Sequence, residues 1–566
     1  MAHFYDQDLT RPKSFNFAVD VVDYWAAKTP PLQAMYWVSQ DGKDCEDLSY
    51  AHFERQSHRI AVLLKETGVT SGEKVLMILP RLPAWWELAI ACLRSGVVVC
   101  PATTLLVAKD IEFRCQRSQA SVYVGDSSSV QKFLKIRASC PRVRTVIQVG
   151  GDPPQGVIEL SAALEKAVPK DAIFRGPKPD MCSPALIYFT SGTTGHPKMV
   201  QHDHISYPLA HTITGKHWLR LSPGKLYWNL SEQGWAKAAW SFFGTWNCGA
   251  SLFVHDDRQS FSPTRLLDIL HQYPITTLCA PPTAYRQLVL GESQEYFRKK
   301  PPQALSHCSG AGEPLNGEVI RLWKDMSGMQ ICDGYGQTET ILICGNFEGA
   351  DIRPGSMGRP SPGVPLHVVD SKGEECSEGV EGDMAILVKS EEPDEGDFFG
   401  LFQGYLGPDG SLDKRVRTFV GSRHVAPKSW YLTGDRATRD KDGYFWFVGR
   451  ADDVINSAGY RIGPFEVEST LKQHPAVVES AVVSSPDSSR GEVVKAFIVL
   501  TKQYVQRDAN LLVKELQDFC KKNAAPYKYP RKIQFVDATF LPKTISGKIK
   551  RNELKRLEWT SSASKL

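Results

Sequence analysis

The sequence lacks the features that would take a chain to a membrane, a nucleic acid or an oxidising compartment. No stretch reaches the roughly 18 charge-free apolar residues that a membrane-spanning helix requires. The best candidate, Ala84 to Ala102, is interrupted by Glu87 and Arg94. A net charge of +4 over 566 residues supplies no basic field to hold a nucleic acid. The 13 cysteines are scattered, odd in number and without a C-x-x-C pair. Neither a disulfide framework nor a zinc site is indicated, and a reducing, intracellular setting is the simpler reading. Residues 1–20 carry early acids, Asp6 and Asp8, and no charged-then-apolar leader pattern. Also missing is the G-x-x-x-x-G-K-[ST] phosphate loop of kinases and GTPases. Gly192 and Gly195 are too close together, and Met199 follows Lys198, so no hydroxyl beside the lysine serves magnesium.

What is present is an ordinary globular composition, 42% apolar and 23% charged, in a chain long enough for two or more domains. One stretch organises it. The apolar segment Ala185 to Phe189 reads as a buried strand, and His204 to Leu221 can carry a helix. Between them run Thr190, Ser191, Gly192, Thr193, Thr194, Gly195, His196, Pro197 and Lys198. Backbone N–H groups, hydroxyls and an ammonium gathered in this way suit a polyanion such as a nucleotide phosphate. From Lys74 to Ile331, strand-like runs such as Val75–Leu79 alternate with helical ones such as Ala84–Arg94. That alternation implies βαβ units in parallel-rich sheets, whose ligands bind beyond the carboxyl ends of the strands. Two more glycine-rich segments follow expected strands there: Ser309 to Pro314, and Asp333-Gly334-Tyr335-Gly336-Gln337-Thr338-Glu339. The second offers an aromatic face, a hydroxyl and a carboxylate, suited to a purine, a phosphate and Mg²⁺. From Val364 shorter strands take over, and Glu391 to Lys428 reads as a long irregular connection. A compact α+β unit begins near Arg450 and ends in a lysine-rich tail, Leu541 to Ile549. The last residues, Ser564-Lys565-Leu566, match a peroxisomal address read by an import receptor. A peroxisomal location is therefore the expectation.

Taken in order, these segments resemble the adenylate-forming superfamily of acyl-CoA synthetases, luciferases and peptide-synthetase adenylation domains. The resemblance runs from about Asn16 to about Leu557. Gly449 to Pro464 and Ala525 to Lys532 are most similar to medium-chain acyl-CoA synthetases. It implies an α/β fold: a large N-terminal domain of βαβ sheets with a small barrel-like β part, followed by a small, mobile α+β domain. The expected divisions are 1–451, then 452–560 with its hinge at Asp452, then a tail over 561–566. It also implies a reaction in which a carboxylic acid and MgATP give an acyl-adenylate, which CoA then captures. Thr190 to Gly195 and Lys198 would wrap the β- and γ-phosphates, while Gly312, Glu313 and Asp333 to Tyr335 would line the adenine. Gly336 and Gln337 complete that ATP segment, Thr338 would reach the α-phosphate and Glu339 would hold Mg²⁺. Asp435 would accept from the ribose hydroxyls with Arg450 beside it, and Lys548 would be the mobile catalytic lysine, a preorganised charge of the kind that dominates catalysis.

For CoA the resemblance points to Ala458, Gly459, Tyr460, Arg490, Lys521, Tyr529, Pro530 and Arg531. Gly234 and Trp235 would border the acyl pocket, and the surrounding Ser231-Glu232-Gln233-Gly234-Trp235 departs from the Ser-Asp-Thr-Gly-Trp of the medium-chain enzymes. That departure leaves the acid open between fatty, aryl and specialised metabolites. A luciferase-like adenylating oxygenase is the nearest alternative, and a catalytically dead nucleotide sensor a more distant one.

Overall fold

The computed structural model describes residues 10–190, 197–313, 315, 317–389, 398–419, 427–451, 453–457, 460–487, 490–524, 528–544 and 548–563. For residues 456, 460, 461 and 561–563 only the backbone is described. The architecture is the expected α/β class, with two nine-stranded sheets and two smaller five-stranded ones among the described residues.

In the first large sheet, Lys74–Ile78 lies parallel to Val98–Pro101 on one side and to Val122–Asp126 on the other. Pro184–Thr190 continues the parallel set. It then turns back, antiparallel, into Lys198–Asp203. The second large sheet sets Gln33–Val38, Ser251–His255, Leu226–Asn229, Thr277–Ala280, His307–Ala311 and Ile331–Gly336 side by side, every neighbouring pair parallel. Parallel strands need crossover connections, which are the helices between them. One of these, Pro83–Ser95, has proline in its first turn and closes on Gly96 at φ 75°. Proline can lead a helix whose first N–H groups are unpaired anyway, and glycine tolerates the left-handed cap.

The two sheets pack through helices that are apolar nearly all round, as buried helices must be. The Ala236–Asn247 helix places Phe242, Phe243 and Trp246 against Phe17, Tyr50 and Phe53; Phe17 meets Phe243 edge to face with centroids 4.8 Å apart. Such edge contacts suit the ring quadrupoles. Trp246 Nε1 donates to the Ala34 carbonyl and the Tyr50 hydroxyl to that of Ala250. The aromatic layer is thereby tied to the second sheet.

The third sheet is antiparallel, pairing Leu366–Val369, Gly382–Lys389, Lys428–Arg439 and Val416–Phe419, with Phe445–Arg450 added to Lys428–Arg439. The fourth belongs to the C-terminal unit, where Val477–Asp487 and Gly491–Leu500 form a long hairpin beside Pro464–Leu471 and Ala509–Asn523.

Two expectations are corrected. The stretch read as irregular contains the strands Gly404–Leu406, Leu412–Asp413 and Val416–Phe419. They are too short to show a period of two, and pairing from neighbouring sheets imposes them. Asp333 to Gly336 does not follow a strand but is its carboxyl half. Its glycines have poor strand propensity, and two ladders, to His307–Ala311 and to Leu342–Gly345, hold it extended. The helix expected over His204 to Leu221 is present, as a helical run through Ile205–Leu209, His211–Ile213 and Thr214–Trp218, and Lys198–Asp203 before it is a strand.

The Thr214–Trp218 turn reaches the Ala236–Asn247 helix at Gly215, where a Cβ would lie 2.1 Å from the Gly244 carbonyl oxygen. Backbone cannot yield as a flexible side chain does. Gly215→Ala is expected to cost about 1–3 kcal/mol, the range of core overpacking, and to lower the melting temperature measured by calorimetry.

Candidate active site

The carboxyl ends of the second sheet meet the antiparallel sheet around one buried carboxylate. Asp435 is 6% exposed. It accepts from the Tyr335 hydroxyl in a short contact and from Gln337 Nε2 at 2.8 Å. Arg450 is its cross-strand neighbour. Burial raises the Asp435 carboxyl above the usual range, opposed by Arg450, Tyr335 and Gln337. Gln337 also donates to the Thr433 carbonyl at 2.8 Å and accepts from the Tyr431 hydroxyl at 3.1 Å. Its side chain therefore stitches the loop after Ile331–Gly336 to the strand that carries Asp435.

The next two residues are held as firmly. The Thr338 carbonyl accepts from His202 Nε2 and from the Tyr207 hydroxyl, both at 2.8 Å. Burial pushes the His202 imidazole down to about 3, so it donates from its neutral form. Glu339 Oε1 accepts from the Tyr405 hydroxyl at 2.5 Å. Burial raises the Glu339 carboxyl, with Tyr405 and Arg450 opposing. Lys198 opens the returning strand opposite Thr190, and its Nζ lies 5.1 Å over the Tyr405 ring. Burial lowers the Lys198 ammonium, which Arg415 also disfavours and Glu339 favours. The loop residues Ser191, Gly192, Thr193, Thr194 and Gly195 lie outside the described residues.

Asp333 is likewise buried, 8% exposed, and burial pushes its carboxyl up to about 8. Gly334 lies against Trp218, whose ring atoms a Cβ there would meet at 2.5 Å. Gly312 and Glu313 follow the neighbouring strand His307–Ala311, and Glu313 pairs with Arg286 at 3.0 Å. Lys237 Nζ donates to the Ala311 carbonyl at 2.7 Å. Lys548 arrives from the C-terminal unit. Its side chain keeps contact with solvent, yet protein crowds around it: burial leads in lowering its ammonium, with Glu313 and Asp435 favouring the charge and Lys237 and Arg450 opposing it. Glu313, Asp435 and Lys237 thus all lie within electrostatic reach of the exposed Lys548.

Near the expected acyl residues, Glu232 accepts from the Thr103 and Thr104 hydroxyls, the latter at 2.5 Å, and from the Thr104 N–H at 3.2 Å. Gly234 packs on the same loop, where a Cβ would lie 2.2 Å from the Thr103 nitrogen. Trp235 then leads into the Ala236–Asn247 helix. The expected CoA residues are only partly brought together. Lys521 Nζ and the Arg531 guanidinium lie 4.7 and 5.0 Å from the Tyr529 ring. The Pro530 carbonyl accepts from Gln517. Arg490 stands apart from this cluster, at the start of Gly491–Leu500 and four residues before Val494, whose carbonyl takes the Arg531 N–H. That separation is about 13 Å along an extended chain. Ala458, Gly459 and the hinge position Asp452 lie outside the described residues, as does the side chain of Tyr460.

The AMP-binding enzyme family matches residues 22–406 and its C-terminal domain family matches residues 466–548. The chain belongs to the AMP-binding enzyme family. A human relative named as the mitochondrial acyl-coenzyme A synthetase ACSM3 is 44% identical over 98% of this chain and 91% of its own length. A mouse relative named as the mitochondrial acyl-coenzyme A synthetase ACSM4 is 44% identical over 97% and 91%. Among solved structures, an anthranilate CoA ligase, AuaEII, in complex with anthranoyl-AMP superposes with a TM-score of 0.82 at 27% identity, covering 98% of this chain and 99% of that one.

These relatives correct the peroxisomal expectation and with it the import receptor. They are named as mitochondrial. Three terminal residues weigh little against near-full-length similarity, and Ser564-Lys565-Leu566 lie outside the described residues. Several residues that brace the expected site residues went unnoticed in the sequence. Tyr405 sits in the stretch read as irregular, and His202 and Tyr207 act on a backbone carbonyl more than 130 positions away in the chain, which no local motif announces. Glu232 was visible as a departure but not as an anchor.

The raised Asp333 group has a consequence for stability. The folded chain retains its proton up to about pH 8, whereas an unfolded aspartate releases it near pH 4. The unfolded state therefore binds fewer protons between these values, and stability falls as pH rises through that window. Asp333→Asn, which mimics the protonated side chain, is expected to be more stable than the parent at pH 8. Urea titrations should show the advantage shrinking steadily toward pH 4.

Proposed function

We propose that this chain is an ATP-dependent, AMP-forming carboxylic acid–CoA ligase acting on medium-chain fatty or related acids. The observation that carries the reading is the convergence of Lys548 on the cleft that also holds Thr338, Glu339 and Asp435. A carboxylate oxygen of the acid attacks the α-phosphorus of ATP, and the bond to pyrophosphate breaks. Negative charge grows on the α-phosphate and on the bridging oxygens, where the Lys548 ammonium, fixed in advance, stabilises it. Asp435 accepts from the ribose hydroxyls, and the Thr338 backbone, clamped by His202 and Tyr207, aims its hydroxyl at the α-phosphate. Lys198 and the Thr190–Lys198 turn hold the outer phosphates.

Glu339 suits a Mg²⁺ ion. It is a carboxylate with one oxygen held by Tyr405, and among the described residues it joins no cluster of three ligand side chains. Magnesium held by a single carboxylate, with phosphates and water completing its shell, is usual at nucleotide sites. Bound there, it would neutralise charge on the departing pyrophosphate.

In the second step the CoA sulfur attacks the acyl carbon, AMP leaves and the thiol proton passes to solvent. The C-terminal unit, residues 452–560, would turn about Asp452 between the steps, withdrawing Lys548. Gly459 and its neighbours Ala458 and Tyr460 would then line the thiol path, with Arg490, Lys521 and Arg531 toward the CoA phosphates.

Two experiments test this. Glu339→Gln keeps the shape but removes the charge, and kcat/KM for MgATP is expected to fall at least about tenfold. A magnesium titration that leaves the variant indistinguishable from the parent would remove Glu339 as the ligand. Lys548→Ala is expected to slow pyrophosphate release roughly 10²-fold or more, as loss of one preorganised donor does. Supplied with synthetic acyl-AMP and CoA, the same variant should still form thioester at a substantial rate. Equal loss of both half-reactions in a folded variant would contradict the two-orientation scheme.

A further inference from the structure

Two cations crowd one tyrosine ring. Lys198 Nζ lies 5.1 Å from the centre of the Tyr405 ring, and the Arg415 guanidinium lies 5.0 Å from it. The Tyr405 hydroxyl donates to Glu339 Oε1 at 2.5 Å, which places both cations in the Glu339 corner of the site. Lys198 is the lysine of the expected phosphate loop. No motif marks Arg415, which falls within the stretch from Glu391 to Lys428.

The backbone sets Arg415 there. Asp413 pairs with Tyr405 in the first large sheet, and Val416 opens a strand of the antiparallel sheet. Between them the chain turns at Lys414 and Arg415, and Asp413 Oδ1 accepts from the Arg415 N–H at 2.9 Å. Arg415 has φ 51°, a left-handed conformation that glycine takes freely and a residue with a Cβ disfavours. Glycine would make the same turn without that strain, and a strained residue of this kind points to a use for its side chain.

The charge of Arg415 is not spent within the described protein. Its one ion pair among the described residues is with Asp413 at 3.8 Å, and the two side chains are 52% and 68% exposed. A pair so long and so exposed contributes little. Arg415 and Arg450 both oppose the charge on Lys198, while Glu339 and Asp413 favour it. Like charges gathered in a partly buried corner repel one another, and a polyanion is the ligand that relieves them. The guanidinium fork matches pairs of phosphate oxygens.

We propose that Arg415 is a further phosphate-binding residue of the nucleotide site, taking the terminal phosphates of ATP beside Lys198 and holding them as pyrophosphate once the bond to the α-phosphate breaks. The electron pair of that bond leaves with pyrophosphate, and the guanidinium meets the charge so gained. AMP and the acyl-adenylate lack these phosphates and do not engage it. The inference rests on the reading of the chain as an acid–CoA ligase.

The test uses the full chain with Arg415→Gln and, independently, Arg415→Gly, which suits the left-handed turn; either folded variant suffices. Calorimetric titration should show about a tenfold or greater loss of affinity for MgATP, the scale of one hydrogen bond to a charged group, and no loss for AMP. In the reverse reaction, where synthetic acyl-AMP and pyrophosphate give ATP and the acid, KM for pyrophosphate should rise by a similar factor. Arg415→Lys should recover part of both losses, and KM for CoA should stay unchanged. Affinity for MgATP equal to that of the parent in both folded variants would overturn the proposal. So would equal losses for MgATP and AMP, or a rise in KM for CoA alone, which would assign the guanidinium to the CoA phosphates. A parent that binds MgATP yet releases pyrophosphate with no acid would sink the ligase reading, while the titrations would still decide the role of Arg415.

Discussion

Burying the Asp435 carboxylate is the constraint on which the rest of the site depends. An ionised group removed from water is costly unless it is paired and hydrogen-bonded. Here the partners come from elsewhere in the fold: Tyr335 and Gln337 from the end of the second large sheet, and Arg450 from the strand antiparallel to Asp435. Satisfying one carboxylate therefore docks the antiparallel sheet onto the parallel one. The docking sets the loop from Gln337 to Glu339, and His202 and Tyr207 fix it from the first large sheet. Three sheets thus meet where a nucleotide would lie, and the rigidity of the arrangement follows from the cost of leaving any of these groups unpaired.

The C-terminal unit carries an ion pair of the same kind. Glu468, nearly buried, accepts from the Val482 N–H at 2.8 Å and from Arg551 Nη2 at 2.6 Å. Arg551 begins the helix that follows the Lys548 segment, so the pair anchors that segment to the hairpin sheet behind it. Lys548 itself hangs beyond the anchor, backed by the bridge between Lys543 and Ile549.

The acyl side follows a different logic. Glu232 and Gly234 lock onto the loop at Thr103 and Thr104, one through charge-assisted hydrogen bonds and the other by lacking a side chain. With the loop held at both points, Gln233 between them faces inward and Trp235 stands at the head of a helix buried between two sheets. These polar anchors stand at the rim of the aromatic layer that the Ala236–Asn247 helix forms.

Much of this was legible in the sequence, because the information is local. Alternating apolar runs, proline and glycine at helix ends, and ordered glycine-rich segments identify βαβ units and the segments at their carboxyl ends, since backbone conformation depends on neighbours in the chain. Asp333, Tyr335, Glu339, Asp435 and Lys548 could all be named in advance. The tertiary structure alone decided which groups meet. It turned Gly404–Leu406 into a strand, paired between Leu412–Asp413 and Lys198–Asp203, that presents Tyr405 to Glu339, brought His202 and Tyr207 to the Thr338 carbonyl, and separated Arg490 from Lys521, Tyr529 and Arg531. It also set Lys198 and Arg415, far apart in the chain, beside one tyrosine ring. Such meetings are governed by packing and by the pairing of buried polar groups, which act between segments remote in sequence and leave no local period to read.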